Sequence, residues 1–206
     1  MKVVGIYLAA GNSERMGTNK LELPVGKMTL GSLALDTALK SLLEKVIVVV
    51  KETDDVHWIS SNIKSDDKII IEKCTTAHEG KSESIKCGIL RAQEEGADAA
   101  MVILADQPFI TELILNELIE CMKKTPTSNY VSASHNQLLI PPVLFSGAMF
   151  PELLNLTGDT GAKTLLEDDY LAQGKELPCA DSRLIFGIDT TEEYEELLSI
   201  TKNNSI

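Results

Sequence analysis

Short runs of β-branched apolar residues alternate along this chain with longer segments of helical periodicity. Residues 46–50 are almost purely β-branched, and residues 3–8 and 99–104 form similar apolar runs. Strands that are apolar on both faces are typical of parallel sheets covered by helices on both sides. The alternation therefore predicts an α/β protein with a mostly parallel sheet flanked by helices.

The remaining segments continue this alternation. Further strands are predicted at residues 68–71, 130–134, 142–145 and 183–188. Apolar residues at helical spacing predict helices at residues 30–43, 54–62, 82–93, 111–122, 150–156, 162–168 and 191–200. Thr111 is the expected N-cap of the helix at 111–122. Because no repeat or low-complexity linker interrupts this order, we expect one domain over residues 1–206.

The cysteines give no sign of a cross-linked or zinc-binding scaffold. Cys74, Cys87, Cys121 and Cys179 are widely and irregularly spaced, without a CxxC pair or a histidine at zinc spacing. A domain of 206 residues buries roughly 70% of the surface of its unfolded chain, which is enough for a sizeable core. We therefore expect reduced, mostly buried thiols in a cytoplasmic protein.

Charge and hydropathy restrict the possible partners. The net charge of −12 repels the phosphates of nucleic acids and anionic lipid surfaces. The longest clean apolar run, residues 99–105, is far shorter than the roughly 18 residues that a membrane-spanning helix needs. The apolar start is short for a secretory signal and runs into charged residues. We expect no nucleic-acid or membrane partner, whereas a small anionic ligand remains possible.

The segment after the first predicted strand is rich in small residues. It reads LAAGNSERMGTNK from Leu8 to Lys20. Ligands of open α/β sheets bind beyond the carboxyl ends of the strands, which is where this segment begins. Ala9, Ala10 and Gly11 let the backbone approach a ligand closely, and successive N–H groups in such a turn form an anion-binding concavity.

Two positive charges in this segment suit a polyphosphate. Arg15 offers a bidentate fork and Lys20 a point charge. The segment matches neither the Walker pattern GxxxxGK(S/T) nor the dinucleotide pattern GxGxxG. From composition alone, an ordinary glycine-bearing turn with surface charges is an equally good interpretation.

Two carboxylates are candidate ligands for a divalent cation. Asp106 follows the predicted strand at residues 99–104, so its side chain can reach the crevice at the end of the first strand. Magnesium takes one or two carboxylates together with substrate phosphates. Asp189 also follows a predicted strand and precedes a predicted helix. Capping is the alternative for both residues, and for Asp189 the two interpretations are equally good.

Serines and histidines give weaker signals. Ser82 and Ser84 open a predicted helix, where they can bond a ribose or a base or can simply cap the helix. His57, His78 and His135 share no common spacing and have no nucleophile pattern nearby. We expect surface or packing roles for these histidines.

The string LAAGxSxRMGxxK at residues 8–20 resembles the signature loop of a known family, the nucleotidyltransferases of the molybdenum cofactor cytidylyltransferase type. This MobA-like family includes accessory proteins of xanthine dehydrogenase and of purine catabolism. The resemblance implies a Rossmann-like three-layer nucleotidyltransferase fold and a nucleoside triphosphate bound by the loop. The ligand residues implied in the loop are Leu8, Ala9, Ala10, Gly11, Ser13, Arg15 and Lys20.

Two later segments extend the resemblance on the nucleotide side. Residues 80–88, GKSESIKCG, are similar to the family segment that helps form the base and ribose pocket. This similarity implies ligand roles for Ser82, Ser84 and Gly88. The ADQP segment at residues 105–108 resembles the family element whose aspartate, here Asp106, binds magnesium.

Segments in the second half resemble the acceptor side of the family's cleft. Residues 142–145 and 158–163 are similar to acceptor-side segments, and residues 188–193 resemble a closing acidic element that makes Asp189 a second metal ligand. The resemblance thus implies a nucleotide-binding half at 1–110 and an acceptor-binding half at 111–206. The chain departs from the family pattern at residues 139–142 and in the closing element, which concerns the acceptor and the second metal ligand.

The activity implied is transfer of CMP from CTP to molybdopterin-bound molybdenum cofactor, with release of pyrophosphate. Alanine at position 10 goes with the cytidine-type enzymes of the family. A phosphate acceptor has its second pKa near 6, so it needs no strong general base. Lys20 would then act on the α-phosphate, Arg15 on the departing pyrophosphate, and Asp106 would hold Mg²⁺.

The implied client is a molybdenum hydroxylase such as xanthine dehydrogenase. Two alternatives stay open at this point. One is a transferase of the same fold that acts on a sugar or polyol phosphate. The other is a cofactor-binding chaperone that matures a molybdenum hydroxylase without forming a bond.

Overall fold

A seven-stranded sheet organises the computed structural model, which describes residues 1–11, 16–159, 161 and 173–203. The strands are β1 (Val3–Leu8), β4 (Lys45–Lys51), β5 (Ile69–Cys74), β6 (Ala99–Leu104), β7 (Tyr130–His135), β8 (Leu138–Ser146) and β9 (Gly174–Pro178). Their order across the sheet is β5-β4-β1-β6-β8-β7-β9. Strand β8 pairs antiparallel with both of its neighbours, and the other pairs are parallel. Two short strands, β2 (Pro24–Val25) and β3 (Met28–Thr29), form a separate antiparallel pair.

Helices cover both faces of this sheet. The α-helices are α1 (Leu30–Lys40), α2 (Ser61–Lys64), α3 (Lys81–Glu94), α4 (Glu112–Lys124), α5 (Phe150–Leu154) and α6 (Thr191–Asn203). Helices α1 and α4 pack on the face that carries Val3 and Tyr7, and α3 and α5 pack on the face that carries Val4 and Ile6. The alternation of side chains along β1 thus feeds two hydrophobic layers, because successive residues of a strand point to opposite faces. The predicted three-layer, mostly parallel α/β fold is confirmed.

Most predicted elements lie where the sequence placed them. The bounds predicted for β1 and β6 agree with the structure, and Thr111 caps α4 by accepting a hydrogen bond from the backbone N–H of Ile114. The predicted helix at 162–168 lies outside the described residues. Strand β9 and the β2–β3 pair were not predicted. Within the described residues, no helix has both the length and the apolarity needed to cross a bilayer.

Two predicted elements were wrong, and in both places an aspartate side chain accepts a hydrogen bond from the backbone and favours a turn. The predicted helix at 54–62 is reduced to α2, because the Asp54 carboxylate accepts from the backbone N–H of Val56 and from the Trp58 indole, and Val56 has a φ of 52°. The predicted strand at 183–188 is a 3₁₀ helix, Ser182–Ile185, followed by irregular backbone. There the Asp181 carboxylate accepts from the backbone N–H of Arg183 and so starts a turn.

The expectation of reduced cysteines was also wrong for one pair. Cys74 ends β5 and Cys87 lies on α3, where their Cα atoms are 5.9 Å apart and a disulfide joins them. This pairing is a tertiary contact between a strand and the helix packed on it, so the sequence spacing gave no sign of it. Cys121 and Cys179 are free thiols, half-buried rather than buried.

Candidate active site

A cavity of about 1120 Å³ opens at the carboxyl edge of the parallel strands. Leu8 at the end of β1, Leu104 at the end of β6, and the residues that follow them line it. This is the edge at which open α/β sheets bind ligands. Strand β8 runs in the opposite direction, so its first residues, rather than its last, reach the same edge and line the cavity with Leu139, Ile140 and Pro141.

Lys20 lies at the centre of the charged part of this cavity. It begins a 3₁₀ helix, Lys20–Glu22, whose N-cap Asn19 accepts from the backbone N–H of Leu21. Its Nζ donates to Asp106 Oδ2 at 2.6 Å, to Asp189 Oδ1 at 2.8 Å and to the Ile188 carbonyl at 2.8 Å. Only 7% of Lys20 is exposed. The structure therefore brings together three of the residues that the sequence predicted for the site.

The charge of Lys20 is stabilised by these two carboxylates. Burial by itself lowers the pKa of the Lys20 ammonium, but ion pairing and hydrogen bonding to Asp106 and Asp189 outweigh burial and raise it above its ordinary value. Lys20 is therefore an ammonium at neutral pH. Burial also raises the pKa of Tyr7 well above its ordinary value, and the Asp106 charge adds to this effect. The neutral Tyr7 hydroxyl donates to the Gly31 carbonyl at 2.7 Å and so ties β1 to α1 beside the site.

Capping does not account for either aspartate. The helix after Asp106 is capped by Thr111, and the one after Asp189 has a capping box of its own. In that box, Thr190 Oγ1 accepts from the backbone N–H of Glu193, whose carboxylate accepts from the N–H groups of Asp189 and Thr190. The Asp189 carboxylate is therefore directed to Lys20 rather than to the helix end.

The packing of α6 explains how Asp189 reaches the site. Ile188 is fully buried with Val25, Leu30 and Leu197, and its N–H donates to the Asp106 carbonyl at 2.9 Å. The Tyr194 hydroxyl donates to the Pro24 carbonyl at 2.6 Å, which fixes α6 on the β2–β3 pair. The backbone on both sides of Asp189 is thus held, and its carboxylate faces the end of β6.

The donor set at this position suits a divalent cation. Two carboxylates, Asp106 beyond the end of β6 and Asp189 just before α6, converge on one cationic group at the edge of the cavity. Magnesium binds proteins through one or two carboxylates and completes its octahedron with waters and phosphate oxygens. Among the described residues, no group of three or more histidine, cysteine or carboxylate side chains is placed to hold a metal ion. Asp106 and Asp189 are the number of carboxylates that a divalent ion takes when it is shared with a phosphate ligand.

The predicted phosphate loop is described in part. Ala10 and Gly11 line the cavity, while Ala9 is buried and its N–H donates to the Val49 carbonyl, which extends β1. Ser13 and Arg15 lie outside the described residues. The structure therefore places the first part of the loop at the cavity, together with Lys20 at its far end.

The predicted residues of α3 divide into two kinds. Ser84 lines the cavity. Ser82 and Gly88 do not line it. Ser82 is fully buried, and its hydroxyl donates to the Gly158 carbonyl at 2.7 Å. Gly88 packs against β1, since a Cβ on it would lie 2.3 Å from Ile6. The described geometry gives Ser82 a loop-anchoring position and Gly88 a packing position.

The loop around Gly158 rests directly on the start of α3. Gly80 has a φ of 138°, and a Cβ on it would lie 2.3 Å from the Gly158 carbonyl oxygen. The Ser82 backbone N–H donates to the same oxygen at 3.2 Å, and the Lys81 N–H donates to the Asp159 carboxylate at 3.3 Å. These contacts satisfy N–H groups that a helix start leaves unpaired. They bring Asp159, a residue of the second half, into the cavity wall.

Sequence reasoning missed several residues of the cavity. His78 lines the wall, although its side chain is exposed. Residues 139–142 were noted only as a departure from the family pattern, not as part of a cavity wall. Gln107 also lines the cavity and is 6% exposed. Its position directly after Asp106 was the available signal.

The cavity lies at the carboxyl edge of a parallel sheet and holds a glycine-containing loop, a buried lysine and two carboxylates, an arrangement typical of nucleotide-binding α/β proteins. Residues 5–176 match the family model described as MobA-like NTP transferase domain. The chain therefore belongs to the MobA-like NTP transferase family and is a nucleotidyltransferase of that family.

One similar protein supports this membership, and two solved structures share the fold. The chain is 36% identical over 198 residues to the purine catabolism protein PucB of Bacillus subtilis (strain 168), covering 94% of each chain. A solved Rv0371c homologue from Mycobacterium sp. strain JC1 is similar in fold, with a TM-score of 0.80 and 24% identity over 99% of this chain and 100% of that chain. The manganese complex of Rv0371c from Mycobacterium tuberculosis H37Rv has a TM-score of 0.74 and 22% identity, covering 97% and 99% of the two chains.

Proposed function

We propose that this protein is a cytoplasmic enzyme that transfers CMP from CTP to molybdopterin-bound molybdenum cofactor and releases pyrophosphate. The observation that carries the proposal is the cluster of Lys20, Asp106 and Asp189 beside Ala10 and Gly11 in one cavity. Such a cluster offers charge neutralisation and a metal position to a triphosphate. The 36% identity to PucB, a purine catabolism protein, supports a role in purine catabolism, for which a molybdenum hydroxylase such as xanthine dehydrogenase is the proposed client.

The lining of the cavity supports a reaction with two substrates, because both halves of the chain contribute residues to it. Leu8, Ala10 and Ser84 line it from the half at residues 1–110, for which we propose nucleotide binding. Pro141 and Gly187 line it from the half at 111–206, for which we propose acceptor binding.

Asp106 and Asp189 would hold Mg²⁺, and the manganese complex of an Rv0371c protein supports a divalent ion in this fold. Bound there, the ion supplies positive charge to the triphosphate oxygens. The Lys20 ammonium pairs with both carboxylates and offsets one of their two negative charges. We propose that Lys20 turns from the carboxylates to the α-phosphate when the substrates bind, and that Arg15 stabilises the departing pyrophosphate.

A strong general base is not needed for this reaction. The acceptor phosphate, with its second pKa near 6, is already largely ionised at neutral pH and can attack the α-phosphorus directly. The bond to the β-phosphate oxygen breaks in the same displacement, and pyrophosphate leaves. The protein contributes alignment and charge stabilisation, as in phosphoryl transfer generally.

The test is pyrophosphate release measured with each of the four nucleoside triphosphates, with Mg²⁺ and molybdenum cofactor as acceptor. We expect CTP to be preferred and Asp106→Asn to lower turnover on the order of a hundredfold, as loss of one charge-stabilising group does elsewhere. Asp36→Asn, on the surface of α1, is the matched control and should keep wild-type turnover. Full activity of Asp106→Asn would refute the metal assignment.

The same assay separates the alternatives. Turnover with a polyol phosphate but not with molybdenum cofactor would replace the acceptor and leave the nucleotidyl transfer in place. No pyrophosphate release, together with undiminished hydroxylase maturation by a Lys20→Ala variant, would identify a chaperone instead.

A further inference from the structure

The disulfide between Cys74 and Cys87 encloses a segment that forms part of the cavity wall. Cys74 ends β5 and Cys87 lies on α3, so the chain between them leads from the sheet into the helix. Residues 77–81, Ser84 and Ile85 all lie inside this loop and line the cavity. The bond therefore closes the loop that carries this part of the wall.

Packing holds the first part of the enclosed segment only weakly. None of residues 75–81 is buried. The hydrogen bonds of this stretch include local ones, such as that from the Glu79 N–H to the Thr76 carbonyl at 2.9 Å, and its far end rests on the loop around Gly158. Segments with few buried apolar contacts open locally at a low cost in free energy. A covalent link across the segment therefore helps to hold the wall in one conformation.

The fold accommodates the bonded and the reduced form of this cysteine pair. Cys74 is 1% exposed, whereas Cys87 is half-buried and is the more accessible of the two residues. The Glu83 carbonyl oxygen lies 3.5 Å from Cys74 Sγ, so the buried thiol that reduction produces has a hydrogen-bond acceptor in place. In a reducing compartment, disulfides are usually transient and serve catalysis or redox sensing.

We propose that Cys74 and Cys87 form a reversible redox switch, whose bonded form holds residues 77–85 in place for the nucleoside triphosphate and whose reduced form binds it more weakly. The inference rests on the proposed function for the position of the nucleotide at this wall. A flexible wall loses conformational freedom when the ligand binds, and this loss lowers the affinity. The bonded form has given up part of that freedom before the ligand arrives.

The switch is operated by a dithiol, which is the reductant. One thiolate of the dithiol attacks Cys87 Sγ, the bond between the two protein sulfurs breaks, and Cys74 leaves as a thiolate that takes up a proton. The second thiolate of the reductant then attacks the mixed disulfide and releases Cys87, which is protonated in turn. The protein gains two electrons and two protons, and the reductant becomes a disulfide.

The test compares the Kd of CTP with Mg²⁺, measured by calorimetry, for oxidised wild type and for wild type reduced with dithiothreitol. We expect the Kd to rise roughly three- to tenfold on reduction, because ordering one or two side chains costs about this much affinity. Cys87→Ser should bind like the reduced protein and should not respond to dithiothreitol. Cys121→Ser is the matched control, since Cys121 is a free, half-buried thiol on α4, and it should keep the full response. Equal Kd values for the two forms of wild type would overturn the proposal.

Two further measurements do not depend on nucleotide binding. Hydrogen exchange at residues 75–81 should become faster on reduction, whereas exchange in β6 should stay the same; faster exchange throughout the sheet would overturn a local switch. Iodoacetamide in denaturant should label two more cysteines in the reduced protein than in the oxidised one. Equal labelling would show that the pair does not form the bond and would overturn the proposal as well.

Failure of the proposed function appears in a different measurement, the release of pyrophosphate with molybdenum cofactor. The Kd comparison needs binding only, and it is made with another nucleoside triphosphate if that one binds in place of CTP. An unchanged Kd for the nucleotide, together with a higher KM for the acceptor after reduction, would assign this wall to the acceptor. That result would overturn the proposal and leave the nucleotidyl transfer in place.

Discussion

A Lys20→Met variant would keep the apolar stem of the side chain and remove its charge from between two carboxylates. Removing one partner of a buried ion pair typically costs about 3–5 kcal/mol. The side chains of Asp106 and Asp189 are 26% and 42% exposed, so solvent screens part of their repulsion. We therefore expect a loss of about 2 kcal/mol. For a chain of this size, that lowers the melting temperature by about 4–8 °C.

The same variant should bind a divalent ion more tightly in the absence of nucleotide. In the wild type, an incoming ion competes with an ammonium that lies 2.6 Å and 2.8 Å from the two carboxylates. Removing that competition should tighten Mn²⁺ binding by on the order of tenfold or more, since unit charges about 4 Å apart interact by about 4 kcal/mol at an effective dielectric constant near 20. Saturating Mn²⁺ should also restore most of the lost melting temperature.

Catalysis should change in the opposite direction. We expect turnover with CTP to fall on the order of a hundredfold, because Lys20 no longer stabilises charge on the α-phosphate. Thermal unfolding, a Mn²⁺ titration followed by electron paramagnetic resonance, and pyrophosphate release measure the three effects. Lys40→Met is the control, since its partner Asp36 lies on the surface of α1 and the pair contributes little. Unchanged stability together with unchanged Mn²⁺ affinity would refute the reasoning.

The dependence of this stabilisation on pH follows from the raised pKa of Lys20. A raised pKa means that the folded protein holds the proton more tightly than the unfolded chain does. The contribution of Lys20 to stability is fully present below pH 10.5, the ordinary pKa of a lysine. It is lost as the pH rises through the higher pKa of Lys20 in the folded protein. The gap in stability between wild type and Lys20→Met should thus stay constant from neutral to mildly alkaline pH and narrow only in strong alkali.

Two further changes test the packing around the cavity. Gly80→Ala should destabilise the protein by about 2 kcal/mol or more, because Gly80 has a φ of 138° and the new Cβ would clash with the Gly158 carbonyl. Gly96→Ala is the control, since Gly96 also has a positive φ but has open space around it. Equal melting temperatures of the two variants would contradict the predicted clash. Cys87→Ser should have the same melting temperature as reduced wild type. Its free energy of unfolding should be about 2–4 kcal/mol lower than that of the oxidised protein. A melting temperature that dithiothreitol does not change in wild type would refute the disulfide.

Local signals explain which parts of the fold were predictable. The bounds of β1 and β6 and the Thr111 cap depend on neighbouring residues only, and the sequence predicted them. The predictions for 54–62 and 183–188 were wrong because one aspartate side chain, Asp54 in the first segment and Asp181 just before the second, competes with regular backbone pairing. The Cys74–Cys87 bond joins elements that become neighbours only after folding.

In the candidate site, too, some residues could be predicted from local signals and others depend on contacts that form only on folding. Lys20 and Asp106 follow adjacent parallel strands, so a shared cavity could be predicted from strand order and loop position. The sequence could not decide between a ligand and a capping role for Asp189, because a residue that precedes a helix often caps it. The hydrogen bonds of Thr190 and Glu193 show that these two residues cap α6 instead. Ser82 fits the family pattern, but its hydroxyl lies against a loop that is far away in the sequence.

The reversed direction of β8 has a consequence for how substrate preference can change. Residues on strand ends usually enter such a cavity through flexible loops, whereas Leu139 and Ile140 enter it from within a hydrogen-bonded ladder with β7. The two prolines that follow, Pro141 and Pro142, lie in a bulge of that ladder, where no N–H is required. The part of the rim formed by Leu139 and Ile140 is thus held by strand pairing and carries apolar side chains. If this rim contacts the acceptor of the proposed reaction, single substitutions there should change substrate preference and leave the contacts of Lys20 with the two aspartates in place.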